Sequence, residues 1–124
     1  MPLNLELPDH EFTLRGADGA QARVNDRILG ASFIIAPDRL VEDWPVTVAA
    51  ALRAHDLAPL LALDPEVVIL GTGATQVFPP AETMATCMTR GIGLEAMRND
   101  AAARTFSVLA GEGRRVVAGF ILPG

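Results

Sequence analysis

The chain has 124 residues, half of them apolar and a fifth charged, a composition typical of a globular domain and unlike that of a disordered chain. Its formal net charge of −5 is spread along the chain without a basic stripe, which argues against a nucleic-acid partner. A chain of this length buries about two-thirds of the surface that its unfolded form exposes. One domain over residues 1–124 is therefore expected, without disulfides or a structural metal.

The first nine residues do not resemble a targeting segment. They lack the basic start and continuous apolar run of a secretory signal, and the Arg-rich character of a mitochondrial presequence. The apolar runs elsewhere are much shorter than the roughly 20 residues that span a bilayer. The single cysteine, Cys87, cannot form an intrachain disulfide, which favours a reducing compartment. Together these features predict a cytoplasmic protein without a transmembrane segment.

The N-terminal part of the chain predicts short strands. Residues 11–15 alternate in polarity, residues 17–19 form a turn in which glycine supplies the positive φ of a tight hairpin, and residues 21–25 return as the second strand. Residues 31–36 predict a further strand, which the following proline ends. Residues 40–56 carry no clear pattern. After them, Asp56 predicts the N-cap of a short helix over residues 57–63.

The chain from residue 66 onward alternates strands and helices. Residues 67–70 are a continuous aliphatic run, typical of a strand buried on both faces in a parallel sheet. Residues 94–97 and 116–122 predict two further strands. The alternation predicts an α/β domain with a mostly parallel central sheet, and with the N-terminal antiparallel hairpin packed on it or beside it.

Two helices separate these strands. The first begins at Pro79-Pro80 and ends near Arg90, with Met84, Cys87 and Met88 on one buried face and Gly91 as its stop. The second begins at a cap formed by Asn99 or Asp100, continues through Ala110 and ends at Gly111.

The clearest candidate for a ligand site is Gly71-Thr72-Gly73, directly after a buried strand. Ligands of open α/β sheets bind at the carboxyl ends of strands, where glycine lets a ligand approach the backbone. The dinucleotide fingerprint needs a third glycine at Gln76, and a phosphate loop needs Gly-Lys-Ser/Thr, and both patterns are missing. The alternative is a tight turn in which only glycine fits.

A second candidate segment begins where the next strand ends. Asn99 stands at the predicted start of a helix, where free N–H groups and the helix dipole favour an anion. If the two strands are parallel, this segment and the Gly71 loop open on the same edge of the sheet. The alternative is a helix cap with an exposed ion pair between Asp100 and Arg104. The predicted ligand-binding residues are Gly71, Thr72, Gly73, Asn99, Arg104 and Thr105.

The remaining reactive side chains do not predict a catalytic site. His10 and His55 have no second metal-ligating residue at ligand spacing, so no metal is expected. Cys87 lies on a helical apolar stripe and is more typical of an inert core thiol than of a nucleophile. No nucleophile, base and orienting group stand at neighbouring positions. The sequence therefore predicts no catalytic residue and no cofactor.

Five spaced segments stand out in the sequence: Val68-Ile69-Leu70-Gly71-Thr72-Gly73, Phe78-Pro79, Gly91-Ile92-Gly93-Leu94-Glu95-Ala96-Met97, Ala101-Ala102-Ala103-Arg104-Thr105-Phe106 and Glu112-Gly113-Arg114-Arg115-Val116. Together they resemble the Mth-domain family, a domain of unknown function. The similarity is strongest in the second half of the chain and looser around Phe33-Ile34-Ile35 and Trp44-Pro45-Val46. The sequence departs from the family's usual residues at Asn99, Ala103 and Ser107, so a pocket lined by these positions would differ in polarity.

The resemblance implies a three-layer α/β fold with a mixed central sheet. The best-understood member of the family is a mitochondrial assembly factor for respiratory complex I, which works through protein partners and has no established catalysis. Another member is linked to adipogenesis. The leading hypothesis is therefore a non-catalytic interaction or assembly factor with a protein partner, which predicts an exposed apolar patch.

The alternative hypothesis is a small-ligand binding protein or an enzyme. It uses the crevice between the Gly71–Gly73 loop and the helix start at Asn99–Arg104, and it predicts that Thr72, Asn99 and Arg104 converge there. A homodimer is compatible with both hypotheses.

Overall fold

A computed structural model describes residues 11–124 of the chain. The interpretation of residues 1–9 as neither a secretory signal nor a presequence falls outside the described residues, as does His10.

The five-stranded central sheet confirms the predicted α/β class. Its strand order is β5-β4-β8-β6-β7. The pairs β6–β7 and β6–β8 are parallel, whereas β4 pairs antiparallel with both β5 and β8, so the sheet is mixed. The last strand therefore lies in the middle of the sheet, where both of its faces are covered. The strands are β4 (Ala31–Ala36), β5 (Arg39–Val41), β6 (Val67–Gly71), β7 (Gly93–Met97) and β8 (Val116–Pro123).

A separate three-stranded antiparallel sheet precedes the central one. It comprises β1 (Leu14–Ala17), β2 (Ala22–Val24) and β3 (Arg27–Leu29). The predicted hairpin is confirmed, but its third strand was missed because three residues are too short to show a period. The explanation of the first turn was wrong, since Gly19 does not have a positive φ. Instead, the Asp18 carboxylate accepts hydrogen bonds from the N–H groups of Ala20 (2.8 Å) and Gln21 (2.9 Å).

Helical segments cover one face of the central sheet. Two short 3₁₀ helices, Ala49–Ala51 and Ala54–Leu57, lead into α1 (Ala58–Leu61), and α2 (Ala81–Met88) lies farther along the chain. Asp56 is not the predicted N-cap, because it lies within the second 3₁₀ helix, where its carboxylate accepts a hydrogen bond from the Arg53 N–H.

The buried face of α2 differs from the predicted stripe. Cys87 is buried as expected, but Met88 is 72% exposed. Thr83 is buried instead, because its hydroxyl donates a hydrogen bond to the Leu52 carbonyl at 2.7 Å. Gly91 has φ +69°, which confirms it as the stop after this helix.

The third helix, α3 (Asn99–Gly111), lies on the opposite face of the sheet together with β1–β3. Neither Asn99 nor Asp100 is its N-cap, since Arg98 occupies that position without a side-chain cap. Gly111 belongs to the helix, and the left-handed turn after it uses Gly113 at φ +77°.

The core consists of two apolar clusters, one on each face of the central sheet. The first joins α3 and the small sheet to Phe33 and Phe120, whose rings stack with centroids 5.2 Å apart. The second joins the 3₁₀ segments, α1 and α2 to the other face. The three-layer arrangement that the resemblance implied is therefore confirmed.

Residues 40–56, which had no clear pattern, comprise the end of β5, an irregular stretch over 42–48 and the 3₁₀ segments, and the part after β5 covers the second face. Trp44 is buried, and its indole N–H donates to the Asp56 carbonyl at 2.9 Å. Gly119 of β8 makes room for this ring, since a Cβ there would lie 2.7 Å from two of its carbons. A tertiary contact, rather than a local pattern, thus orders this segment.

Candidate functional site

The carboxyl ends of β6 and β7 lie side by side. Gly71 pairs with Met97 in the parallel register, the Thr72 N–H donates to the Met97 carbonyl at 2.9 Å, and the Asn99 N–H donates to the Gly73 carbonyl at 2.8 Å. The expectation that the Gly71 loop and the start of α3 meet at one edge of the sheet is confirmed.

Asn99 is fully buried at this edge, and its side chain joins three other segments. Its Oδ1 accepts a hydrogen bond from the Gly73 N–H at 3.0 Å. Its Nδ2 donates to the Asp18 carbonyl at 2.9 Å and to the Ile121 carbonyl at 3.1 Å. The amide thus connects the loop after β6, the turn of the small sheet and the end of β8, and both of its donors are in use.

Thr72 shapes the loop itself. Its hydroxyl donates to the Thr75 carbonyl at 2.7 Å and accepts from the Val77 N–H at 3.0 Å. Gln76 adds a hydrogen bond from its Nε2 to the Ala96 carbonyl on β7, at 3.0 Å. The loop is therefore held against the sheet by its own polar side chains.

Both glycines of the motif meet a local requirement. A Cβ at Gly71 would lie 2.4 Å from Asn99 Oδ1 and 2.8 Å from Phe120 Cδ2. Gly73 has φ +111°, which side-chain-bearing residues rarely adopt. Tight packing and backbone conformation account for the two glycines without a ligand.

Arg104 and Thr105 form no hydrogen bond with Thr72 or Asn99. Arg104 is exposed, and Thr105 is half-buried with its hydroxyl 3.4 Å from the Met97 sulfur. The expected ion pair between Asp100 and Arg104 is replaced by one between Arg98 and Asp100, with Nε and Oδ1 2.7 Å apart. Whether the predicted residues bind a ligand remains a prediction.

An open crevice of about 350 Å³ does lie at this edge, but its lining is largely different. Of the predicted residues only Gly73 lines it, with Ala74, Arg98 and Asp100 from the same edge and Asp18 and Gly19 from the small sheet. Asp18 and Gly19 were missed because they lie more than fifty residues from the loop in sequence. Only the packing of the small sheet brings them there.

Two charged carboxylates dominate the electrostatics of the crevice. The N–H groups of Ala20 and Gln21 donate to Asp18 and lower the pKa of its carboxyl group. Burial opposes the shift at Asp100, but hydrogen bonds from the Ala101 N–H and Arg98, with the charge of Arg104, hold its pKa below the usual value. With one arginine and two aspartates among its lining residues, the crevice carries a formal charge of −1 and does not favour an anion.

The described residues do not assemble a nucleophile or a metal centre. Cys87 is fully buried, and burial raises the pKa of its thiol, which opposes formation of the reactive thiolate. His55 lies at the surface, 3.4 Å from Asp56. Within residues 11–124, no group of three or more His, Cys, Asp or Glu side chains is placed to hold a metal ion.

The chain matches the family described as "Protein of unknown function (DUF498/DUF598)" over residues 14–121. It belongs to this family. A solved structure of a Bordetella pertussis protein described as a Mth938-like domain has a TM-score of 0.77 at 29% identity, covering 100% of this chain and 94% of that one. The Mth-domain resemblance of the sequence is thereby confirmed.

Two other proteins are similar to this DUF498 member, one in its solved structure and sequence and one over part of the sequence. A Xanthomonas campestris protein, XCC1710, solved by NMR, is 55% identical, with a TM-score of 0.85 and coverage of 100% of this chain and 94% of that one. A Francisella tularensis protein named "13 kDa major membrane protein" is 32% identical over 66 residues, which are 53% of this chain and 54% of that protein. The match thus spans about half the length of this curated relative. Among the described residues of the present chain, no helix is long and apolar enough to cross a bilayer.

Proposed function

We propose that this DUF498 member is a non-catalytic protein-interaction or assembly factor, and that it serves a membrane complex such as respiratory complex I. The observation that carries the proposal is the distribution of exposed apolar side chains. Phe78 is 64% exposed, Met88 72% and Val48 55%. All three belong to the helical layer, since their neighbours Val46, Val77, Ala49 and Cys87 pack in the apolar cluster on that face of the sheet.

The polar groups of the structure also support a role without chemistry. Within residues 11–124, every buried side-chain nitrogen or oxygen has a hydrogen-bond partner. A preformed polar site usually holds some of these groups ready for a substrate, whereas here Thr72 and Asn99 are occupied by the fold. The membrane part of the proposal is supported by the name of the Francisella relative, "13 kDa major membrane protein". The proposal also includes a cytoplasmic location, which the unpaired Cys87 supports, because thiols stay reduced in that compartment.

Capture experiments with paired surface variants test the interaction role. The wild type is expected to capture a partner stoichiometrically from native lysate. The double variant Phe78→Ser/Met88→Ser is expected to capture at least about tenfold less of it, because exposed apolar side chains supply contact area. Partner amounts are measured by quantitative mass spectrometry.

The matched control is Ile28→Ser/Val108→Ser. These side chains are 55% and 59% exposed but belong to the small sheet and α3. The control is expected to retain the partner. A wild type that captures nothing, or a control that loses as much as the test variant, would contradict the proposal.

The alternative function, a small-ligand binder or enzyme, is supported by the 350 Å³ crevice. A ligand there would contact the Gly73 backbone and Arg98 without breaking the hydrogen bonds of Thr72 and Asn99. Because the lining charge is negative, neutral and zwitterionic metabolites fit it better than anions.

A thermal-shift screen against metabolites, nucleotides and anions tests this alternative. A ligand at 100 times its dissociation constant adds about 2.7 kcal/mol, which raises the midpoint of a domain of this size by about 10 °C. The crevice is supported if Arg98→Ala, still folded, abolishes the shift, and the role of the predicted Arg104 is supported if Arg104→Ala does so too. A screen without a hit argues against the alternative.

A further inference from the structure

An open groove lies between α2 and the preceding helical segment. It consists of two cavities that share Ala54 and therefore adjoin. The larger, about 780 Å³, lies beside residues 50–55 and the start of α2, and the smaller, about 360 Å³, lies beside α1 and the end of α2. We call the two together the α2 groove.

The walls of the α2 groove are low and small. Ala50, Ala51, Ala54, Ala58 and Ala62 line one side, and all five are exposed. Small side chains leave room for the side chains of a partner. A pocket for a small molecule encloses most of its ligand. Exposed walls instead fit an elongated partner that lies along the groove.

The floor of the groove is held in place. Thr83 of α2 donates its hydroxyl hydrogen bond to the Leu52 carbonyl, which fastens the helix to the opposite wall. Both Thr83 and Leu52 are buried and line the larger cavity. The groove is therefore part of the packed structure.

Charge decides which partner fits. Arg53 lines the larger cavity and Arg90 the smaller. Within residues 11–124, neither guanidinium forms an ion pair, whereas four other arginines are paired with carboxylates. Glu82 is the single acidic residue that lines the groove, so its formal charge is +1 on a chain of net charge −5. This local positive charge complements acidic side chains.

We infer that the α2 groove binds an acidic amphipathic helix of a partner protein. The inference rests on the proposed interaction role and adds the surface and the chemistry of the partner. A helix in a groove is anchored by side chains at i, i+3 or i+4, and i+7. Acidic residues of the partner helix would pair with Arg53 and Arg90, while small apolar residues between them face the alanine wall. A membrane surface is flat and does not fill a concave groove.

The test uses two synthetic peptide probes and NMR. Both are alanine-rich helices of about 16 residues with one leucine stripe, and they carry either Glu or Lys at two positions seven apart. The Glu peptide is expected to shift amide resonances of residues 50–62 and 80–90 in the ¹⁵N-labelled full chain. Arg53→Glu/Arg90→Glu is expected to weaken its binding by at least about tenfold, since attraction becomes repulsion at both contacts.

The matched control is Arg23→Glu/Arg39→Glu. These two arginines are also exposed, but they lie on β2 and β5, and the substitutions change the net charge by the same amount. The control is expected to bind the Glu peptide like the wild type. Equal binding of the Lys peptide, shifts outside residues 50–62 and 80–90, or no binding at millimolar peptide would overturn the inference.

Two further measurements identify other occupants of the groove. In the first, the wild type co-sediments with anionic phospholipid vesicles, Arg53→Glu/Arg90→Glu does not, and the Glu peptide does not bind. That result would show that the groove binds a membrane surface and not a partner helix. In the second, the wild type forms a concentration-dependent dimer and the same variant stays monomeric. That result would show that the groove binds a second copy of the chain. If this variant captures the lysate partner as well as the wild type does, the groove is refuted while the interaction role stands. If the wild type captures no partner, the interaction role itself fails.

Discussion

Asn99→Ala is expected to lower the free energy of unfolding by about 4 kcal/mol. The wild-type amide makes three side-chain hydrogen bonds at a fully buried position, to groups in three separate segments. Its removal leaves the Ile121 carbonyl without this partner in a buried setting, where an unsatisfied group costs about 1–3 kcal/mol. It also breaks the partly buried hydrogen bonds to the Gly73 N–H and the Asp18 carbonyl, and each of these adds a smaller loss. Urea unfolding followed by circular dichroism measures the loss, with the m-value as a check on two-state behaviour.

Two further variants test the same explanation. Asn99→Asp keeps an acceptor but places an oxygen against two carbonyl oxygens, so it is expected to destabilise at least as much at neutral pH. Gln76→Ala removes one hydrogen bond at an exposed position of the same loop and is expected to cost less than about 1 kcal/mol. A loss below about 1 kcal/mol for Asn99→Ala would show that Asn99 does not join the three segments.

Gly71→Ala is expected to cost about 3 kcal/mol. The added methyl group would lie 2.4 Å from Asn99 Oδ1 and 2.8 Å from the Phe120 ring, so the amide must move and its hydrogen bonds weaken. Because both contacts exist without a ligand, the loss should appear in the ligand-free protein, again by urea unfolding.

A double-mutant cycle isolates the contact between positions 71 and 99. In the Asn99→Ala background, Gly71→Ala meets only Phe120, so its further cost should fall by at least about 1 kcal/mol. Gly111→Ala is the control, since a Cβ there meets nothing within 4 Å and its helical φ is not positive. Its effect should stay within about 1 kcal/mol. Strictly additive costs at positions 71 and 99 would refute the proposed contact.

Strands of the central sheet were predictable because their signal is local. The runs at 31–36, 67–70, 94–97 and 116–122 are mainly apolar, and all four became strands. The short strands β3 and β5 were missed because three residues carry no period and become strands only by pairing with β2 and β4. Met88 was wrongly placed in the core because the rotation of α2 depends on the hydrogen bond from Thr83 to Leu52.

The candidate site was likewise predictable from the sequence only in part. The parallel strands and their shared edge followed from the sequence, so the proximity of Gly71–Gly73 and Asn99 was predictable. The use of the Asn99 amide was not, since its partners Asp18 and Ile121 are 81 and 22 residues away. In a sequence, a polar residue at a helix start has the same appearance whether its side chain binds a ligand or donates to a buried carbonyl.

By itself, the sequence determined the family, the α/β class and the four long strands of the central sheet, because aliphatic runs and spaced motifs are properties of neighbouring residues. The tertiary structure alone decided that Asn99 links three segments, that Asp18 and Arg98 share a crevice, and that Arg53 and Arg90 flank a groove. Hydrogen bonds and charges act over a few ångströms in space. Residues distant in sequence acquire these roles only when the two layers close on the sheet.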